Sequence, residues 1–212
     1  MIRCTFTGLD RHTKLEELPL GYEYGILMTQ KPEGRNRYPS MAEIGNIAGK
    51  MKYRLGHDKL ALHVCGSGAR KFMLEESSSV FTTVFPRIQI NGGVTMTRLK
   101  EFCEKFSNCT VITQHTDQNK NIVRSGIPNH VILVDGSGGN GVSPERWGRP
   151  TSTQEVGFAG GLGVDNIVSE VERIKAVATG DWWIDMEGKL RDENDWFDVE
   201  RVKNIVSQLE AI

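Results

Sequence analysis

Apolar positions along this chain follow two periods, and they change over in turn. Ile2 to Thr7 alternates and is rich in β-branched residues, which predicts a first strand ending at Gly8. A short helix is expected between Leu9 and Leu20, stopped by Pro19, and a second strand from Tyr24 to Thr29. After a polar loop, Ser40 and Glu43 form a capping box. Met41, Ile44, Ile47, Ala48, Met51 and Leu55 then keep helical spacing on one face. Strands follow at 59–65, 87–91, 110–114, 131–134, 156–159 and 182–185. Helices are predicted near 69–75, over 95–106, weakly up to Arg124, from Val164 to Val177, and from an Asp198 cap to the end. Strand and helix thus alternate eight times without a break in composition. The pattern predicts one α/β domain over residues 1–212, a single (β/α)8 TIM barrel and not an open doubly wound sheet.

The most informative stretch runs from His130 to Gly141. Val131 to Val134 reads as a strand buried on both faces, and it ends abruptly at Asp135. Gly136, Gly138, Gly139 and Gly141 follow, a loop whose backbone can approach a ligand closely. A second short strand, from Val156, runs into Gly160, Gly161 and Gly163 before a helix. A strand, a glycine pair and a helix N-terminus are well suited to phosphate.

Composition narrows the function classes. The 212 residues carry a net charge of −1, so no global field recruits nucleic acid or an anionic membrane surface. No stretch reads as a signal peptide or a membrane span. Cys4, Cys65, Cys103 and Cys109 are widely spaced, with no C-x-x-C pair, and read as reduced thiols of a cytoplasmic protein. The five histidines show no metal-ligand spacing, and no metal site is expected.

In a barrel of this kind chemistry gathers at the carboxyl ends of the strands. Cys4, Arg37, Gln89, Asn91, Asp135, Gly160, Gly161 and Asp185 are the candidates there. A thiol and a carboxylate facing one cavity can serve as base and acid on a sugar-like substrate. Cys4 can equally be a small apolar core residue. Asp135 can equally cap the glycine turn that follows it.

These residues carry a resemblance to the phosphoribosylanthranilate isomerases, cofactor-free barrel enzymes of tryptophan biosynthesis. Ile2 to Thr7 resembles the family's K-I-C-G-I-T strand, which implies Cys4 as general base. Asn36 to Ser40 resembles S-P-R-Y-V-S, which implies that Arg37 holds the carboxylate of the substrate's anthranilate. Gln89 to Gly92 resembles Q-L-H-G. Leu133 to Asp135, then Gly138 to Gly141 and Trp147, resembles L-L-D, G-G-T-G and F-D-W, which implies Asp135 as general acid. Phe158 to Ile167 resembles L-A-G-G-L-x-P-x-N-V, the phosphate loop, and Ile184 to Gly188 partly matches V-D-x-S-S-G. The resemblance implies the Amadori rearrangement of N-(5-phosphoribosyl)anthranilate without metal or nucleotide. Arg37, Gln89, Asn91 and Asp185 would hold the substrate, Gly139, Gly160, Gly161 and Gly188 its phosphate, in a monomer or homodimer. The chain departs from the pattern at Thr5, Asn91 and Glu187. Glu187 lies near the expected phosphate, so it is expected to turn towards solvent, Lys189 or Arg191. Two alternatives follow from these departures: a related barrel acting on another phosphorylated sugar, or an inactive barrel that binds a phosphorylated ligand or a protein.

Overall fold

A computed structural model describes residues 2–30, 34–66, 68–75, 78–116, 119–137, 140–148 and 154–212. Eight parallel strands close into a barrel in sequence order. They are β1 (Cys4–Thr7), β2 (Glu23–Thr29), β3 (Leu60–Cys65), β4 (Arg87–Ile90), β5 (Thr110–Gln114), β6 (His130–Asp135), β7 (Val156–Ala159) and β8 (Trp182–Met186). Pairing of β1 with both β2 and β8 leaves no open edge.

Six α-helices lie among the described residues: α1 (Met41–Leu55), α2 (Gly68–Phe72), α3 (Ser78–Val84), α4 (Met96–Lys105), α5 (Ile167–Lys175) and α6 (Val199–Glu210). α1 starts at the anticipated capping box, with both the Ser40 and Glu43 bonds present. At α6, Asp198 accepts from the N–H groups of Glu200 and Arg201. Each such cap is worth about 1 kcal/mol. The two weak helices anticipated after β1 and β5 are single 3-10 turns, Leu15–Glu17 and Lys120–Ile122. Neither segment has an apolar stripe long enough to hold a helix against the barrel. The sequence pattern did not announce α3, whose Ser-Ser-Val-Phe-Thr-Thr-Val composition suits a strand as well as a helix.

Strand alternation sorts the side chains into two cores. Cys4 and Phe6 of β1 point outwards into the layer between strands and helices. Thr5 and Thr7 point inwards, where they bond to Glu23 and Asp185. A small apolar cluster of Ile112, Val131, Leu133 and Trp183 fills the middle of the barrel. A Cβ on Gly157 would come within 2.3 Å of the Trp183 indole, so glycine on β7 is what admits that ring. Below the indole, towards the amino end, Arg87 stacks on it at 4.5 Å. Its Nε lies 3.0 Å from Glu23, and its Nη1 3.5 Å from Glu155. Glu155 also pairs with Arg3. Above the indole the interior turns polar.

Candidate active site

Strand register builds the site. Asp135 of β6 pairs with Ala159 of β7, and Ala159 pairs with Asp185 of β8. This row sits one layer above Leu133, Gly157 and Trp183, on the same inward face. The two carboxylates are therefore two strands apart, roughly 10 Å between Cα atoms at the usual strand spacing. Only the methyl group of Ala159 stands between them. Both line an open cavity of about 140 Å³ at the carboxyl end, together with Arg37, Gln89, Asn91, Gly160, Gly161 and Gly188. Sequence reasoning had named all eight; Gly139 lies outside the described residues.

The two carboxyl groups differ in their surroundings. Asp135 Oδ1 accepts from the N–H and the hydroxyl of Ser137, at 3.0 and 2.7 Å. These bonds aim the side chain. Asp185 is buried, and burial pushes its carboxyl up to about 7. The Thr7 hydroxyl donates to Asp185 Oδ1 at 2.7 Å and opposes that rise, while Glu23 adds to it. His63 Nδ1 stands 3.8 Å from Asp185 Oδ2, but burial lowers the imidazole to about 4. At neutral pH the pair is thus a neutral ring beside a carboxyl, not an ion pair. A carboxyl that titrates near neutrality can both take and return a proton.

Cys4 does not line this cavity, so the structure does not bring it to face Asp135 as expected. It is the first residue of β1, at the amino end, and its side chain faces the outer core beside Phe6 and Tyr22. Burial raises its thiol to about 12. The reason is the strand's period of two: β1 ends at Thr7, so the inward residues are Thr5 and Thr7. Shifted to fit the strand end, the motif K-I-C-G-I-T puts Thr7 and Gly8 where it has cysteine and glycine. Alternation alone could have shown that Cys4 and Thr7 lie on opposite faces.

Arg37 does reach the cavity, but its guanidinium is engaged. Nε bonds both Asp195 oxygens at 3.1 and 3.0 Å, and Nη2 bonds Oδ1 at 2.6 Å. Nη1 bonds Glu187 Oε1 at 3.0 Å. Against the penalty of burial, the Arg37 hydrogen bond holds the Asp195 carboxyl below its ordinary range. Glu187 therefore turns to a basic neighbour, as expected, but that neighbour is Arg37 and not Lys189 or Arg191. On the opposite wall, Gln89 Nε2 donates to Asn91 Oδ1 at 2.8 Å, and Asn91 Nδ2 lies 3.3 Å from Cys65 Sγ. Sequence reasoning missed Thr7, His63, Cys65 and Asp195. Asp195 lies in a polar turn, and nothing local ties it to a residue 158 positions away.

The glycine loop after β7 is built tightly. Gly160 and Gly161 have φ of 126° and 64°, values that side chains disfavour. A Cβ on Gly161 would approach Ser143 N to 2.2 Å, so the loop after β6 folds directly over it. Asn166 locks the turn: its Oδ1 accepts from Gly163 N at 2.8 Å, and its Nδ2 donates to Gly161 O at 2.9 Å. The helix begins at Ile167, later than the Val164 expected, because Asn166 forms this turn first. Lys189 lines the cavity, packs its stem against Gly163, and makes no ion pair among the described residues. No helix among the described residues is long and apolar enough to cross a membrane.

Comparison with known proteins adds to this geometry. No family model matches the chain. Over 109 residues it is 31% identical to the N-(5'-phosphoribosyl)anthranilate isomerases of two Campylobacter jejuni strains. That match covers 50% of this chain and 52% of each relative, so the chain spans about half the length of the curated relatives it matches. Among solved structures, the whole chain is similar to TrpF from Jonesia denitrificans, with a TM-score of 0.70, 12% identity and 98% of that chain covered. It is likewise similar to the monomers generated from the dimeric phosphoribosylanthranilate isomerase of Thermotoga maritima, with a TM-score of 0.62, 13% identity and all of that chain covered. Half of the chain is thus similar in sequence to two phosphoribosylanthranilate isomerases, and its whole length shares the barrel fold of the two solved structures.

Proposed function

We propose that this protein is an aldose–ketose isomerase that performs an Amadori rearrangement on an N-substituted 5-phosphoribosylamine. The observation that carries the reading is the register row Asp135–Ala159–Asp185, two carboxylates facing one cavity across a small residue. Asp135 protonates the furanose ring oxygen, and the ring C–O bond breaks to leave a Schiff base between C1 and nitrogen. Asp185, as carboxylate, takes the proton from C2. The C–H electron pair forms C1=C2, and the Schiff base electrons move to nitrogen. The resulting enolamine takes a proton at C1 as the C2 hydroxyl becomes a ketone. Asp185 replaces Cys4 as base in this scheme. Its carboxyl, raised to about 7 by burial, is matched to neutral pH. Thr7 is a positioning residue, since its hydroxyl orients Asp185 at 2.7 Å. Gly160, Gly161, Gly188 and Lys189 form the end of the cavity suited to a phosphate. No metal or nucleotide enters the scheme.

N-(5-phosphoribosyl)anthranilate, which the relatives are named for, is the first substrate to assay. Turnover that falls about 10²–10⁴-fold in Asp135→Asn and Asp185→Asn supports the assignment. Wild-type rates in either variant remove that residue from the chemistry. One observation favours a second reading, a barrel that holds a sugar phosphate without turning it over. Thr7 stands where the motif has its thiol. Tight binding of a reduced product analogue, with no isomerisation of any phosphoribosylamine offered, would select that reading.

A further inference from the structure

We propose that the subsite beside Arg37 takes a neutral or cationic substituent on the substrate's amine and rejects a carboxylate. The inference rests on the sugar-phosphate reading above and names the class of its second half. Arg37 is the residue expected to grip an anthranilate carboxylate, yet the protein's own carboxylates already occupy it. Asp195 fills the side-on edge of the guanidinium through Nε and Nη2, and Glu187 takes a further N–H. One positive charge faces two negative ones, so the cluster is net −1. An incoming carboxylate would have to displace a bidentate partner or sit beside two like charges.

The Asp195 backbone is held in a built turn. Its backbone lies at φ 66°, the one non-glycine residue in the left-handed region among the described residues. Asp192 Oδ1 holds the turn by accepting from Asn194 N and Trp196 N, and Arg191 Nη1 donates to Asp195 O at 3.2 Å. A neighbouring bond, Asn36 Nδ2 to Asn194 O at 2.8 Å, ties the same two loops together. Arg37 is therefore a latch between the loop after β2 and the loop after β8. The other cations near the cavity do not take over its expected role. Arg191 is buried against Gly8 and Asp10, and Lys189 packs beside Gly163 on the phosphate side. The cavity wall thus carries the glycine loops and Lys189 on one stretch and the side-chain pair of Arg37 and Glu187 on another. A ligand with a phosphate dianion at one end and no negative charge at the other matches it.

Two unreactive probes test this by calorimetric titration of the full chain: 1-anilino-1-deoxyribitol 5-phosphate and its 2-carboxyanilino counterpart. The neutral probe is expected to bind about tenfold or more tighter than the carboxylate. In the Glu187→Gln, Asp195→Asn double variant the carboxylate probe should gain about tenfold, while the neutral probe changes little. Asparagine tolerates the left-handed backbone at position 195, so the turn survives the change. A wild-type protein that prefers the carboxylate probe overturns the inference and leaves the sugar-phosphate reading standing. A double variant that does not gain for the carboxylate also overturns it. If neither probe binds, the sugar-phosphate reading itself fails, and this inference with it.

Discussion

The two ends of the barrel interior both bury charge, and they treat it differently. At the amino end, Glu23 and Glu155 each face the Arg87 guanidinium, which also stacks on Trp183. At the carboxyl end, the nearest partners of Asp185 among the described residues are a threonine hydroxyl and a neutral imidazole. Opposite charges are paired in the first cluster. Burial without a cation brings the second into the neutral pH range, at about 7. One apolar layer, with Leu133 and Trp183 in it, separates the two clusters.

The largest expected effect is at the carboxyl end. Asp185→Asn should lower kcat about 10²–10⁴-fold while far-UV circular dichroism stays unchanged. In the wild type, kcat/KM should rise with pH through about 7, as Asp185 ionises to become a base. A flat profile from pH 5 to 9, or a rising limb that persists in Asp185→Asn, removes Asp185 as the base.

Next comes the amino end. Arg87→Met leaves Glu23 and Glu155 without their buried cation, and about 3–5 kcal/mol of stability should be lost. Urea unfolding measures this; a loss below about 1 kcal/mol would mean that water already screens the cluster.

A smaller effect distinguishes the two ends by pH. The folded-state carboxyl of Asp185 is raised above its unfolded value of 3.8, to about 7. Its contribution to stability is thus fully present below about pH 4 and is lost as pH rises through about 7. Asp185→Asn should therefore raise Tm relative to wild type more at pH 8 than at pH 5. Equal shifts at both pH values would place the Asp185 titration elsewhere.

The smallest effect belongs to Cys4. Cys4→Ala should leave kcat within about twofold, because the thiol lies outside the cavity, and cost on the order of 1 kcal/mol through lost packing. Loss of turnover in a folded Cys4→Ala protein would restore the thiol as a catalytic group and refute the strand assignment used here.

Much of the architecture was legible along the chain because it depends on local periods. Val131 to Val134 could be read as a doubly buried strand, and Asp135 and Gly160 could be read as the ends of neighbouring strands. Register then brought eight of the ten anticipated residues to one cavity. Cys4 was misplaced because a short family motif was laid over β1 three residues too early. The alternation of Cys4, Thr5, Phe6 and Thr7 carried the correction, but only once the strand's end was known.

The sequence by itself determined the order of the strands, the caps at Ser40 and Asp198, and the glycine turns where strands end. Each of these depends on residues within a few positions of one another, where covalent geometry and side-chain reach leave few choices. Tertiary structure alone decided which face of each strand looks inwards, that Asp135, Ala159 and Asp185 share one row, and that Arg37 meets Asp195 across 158 positions. Those outcomes depend on how the barrel closes, and burial and charge pairing act only after closure has brought distant strands together.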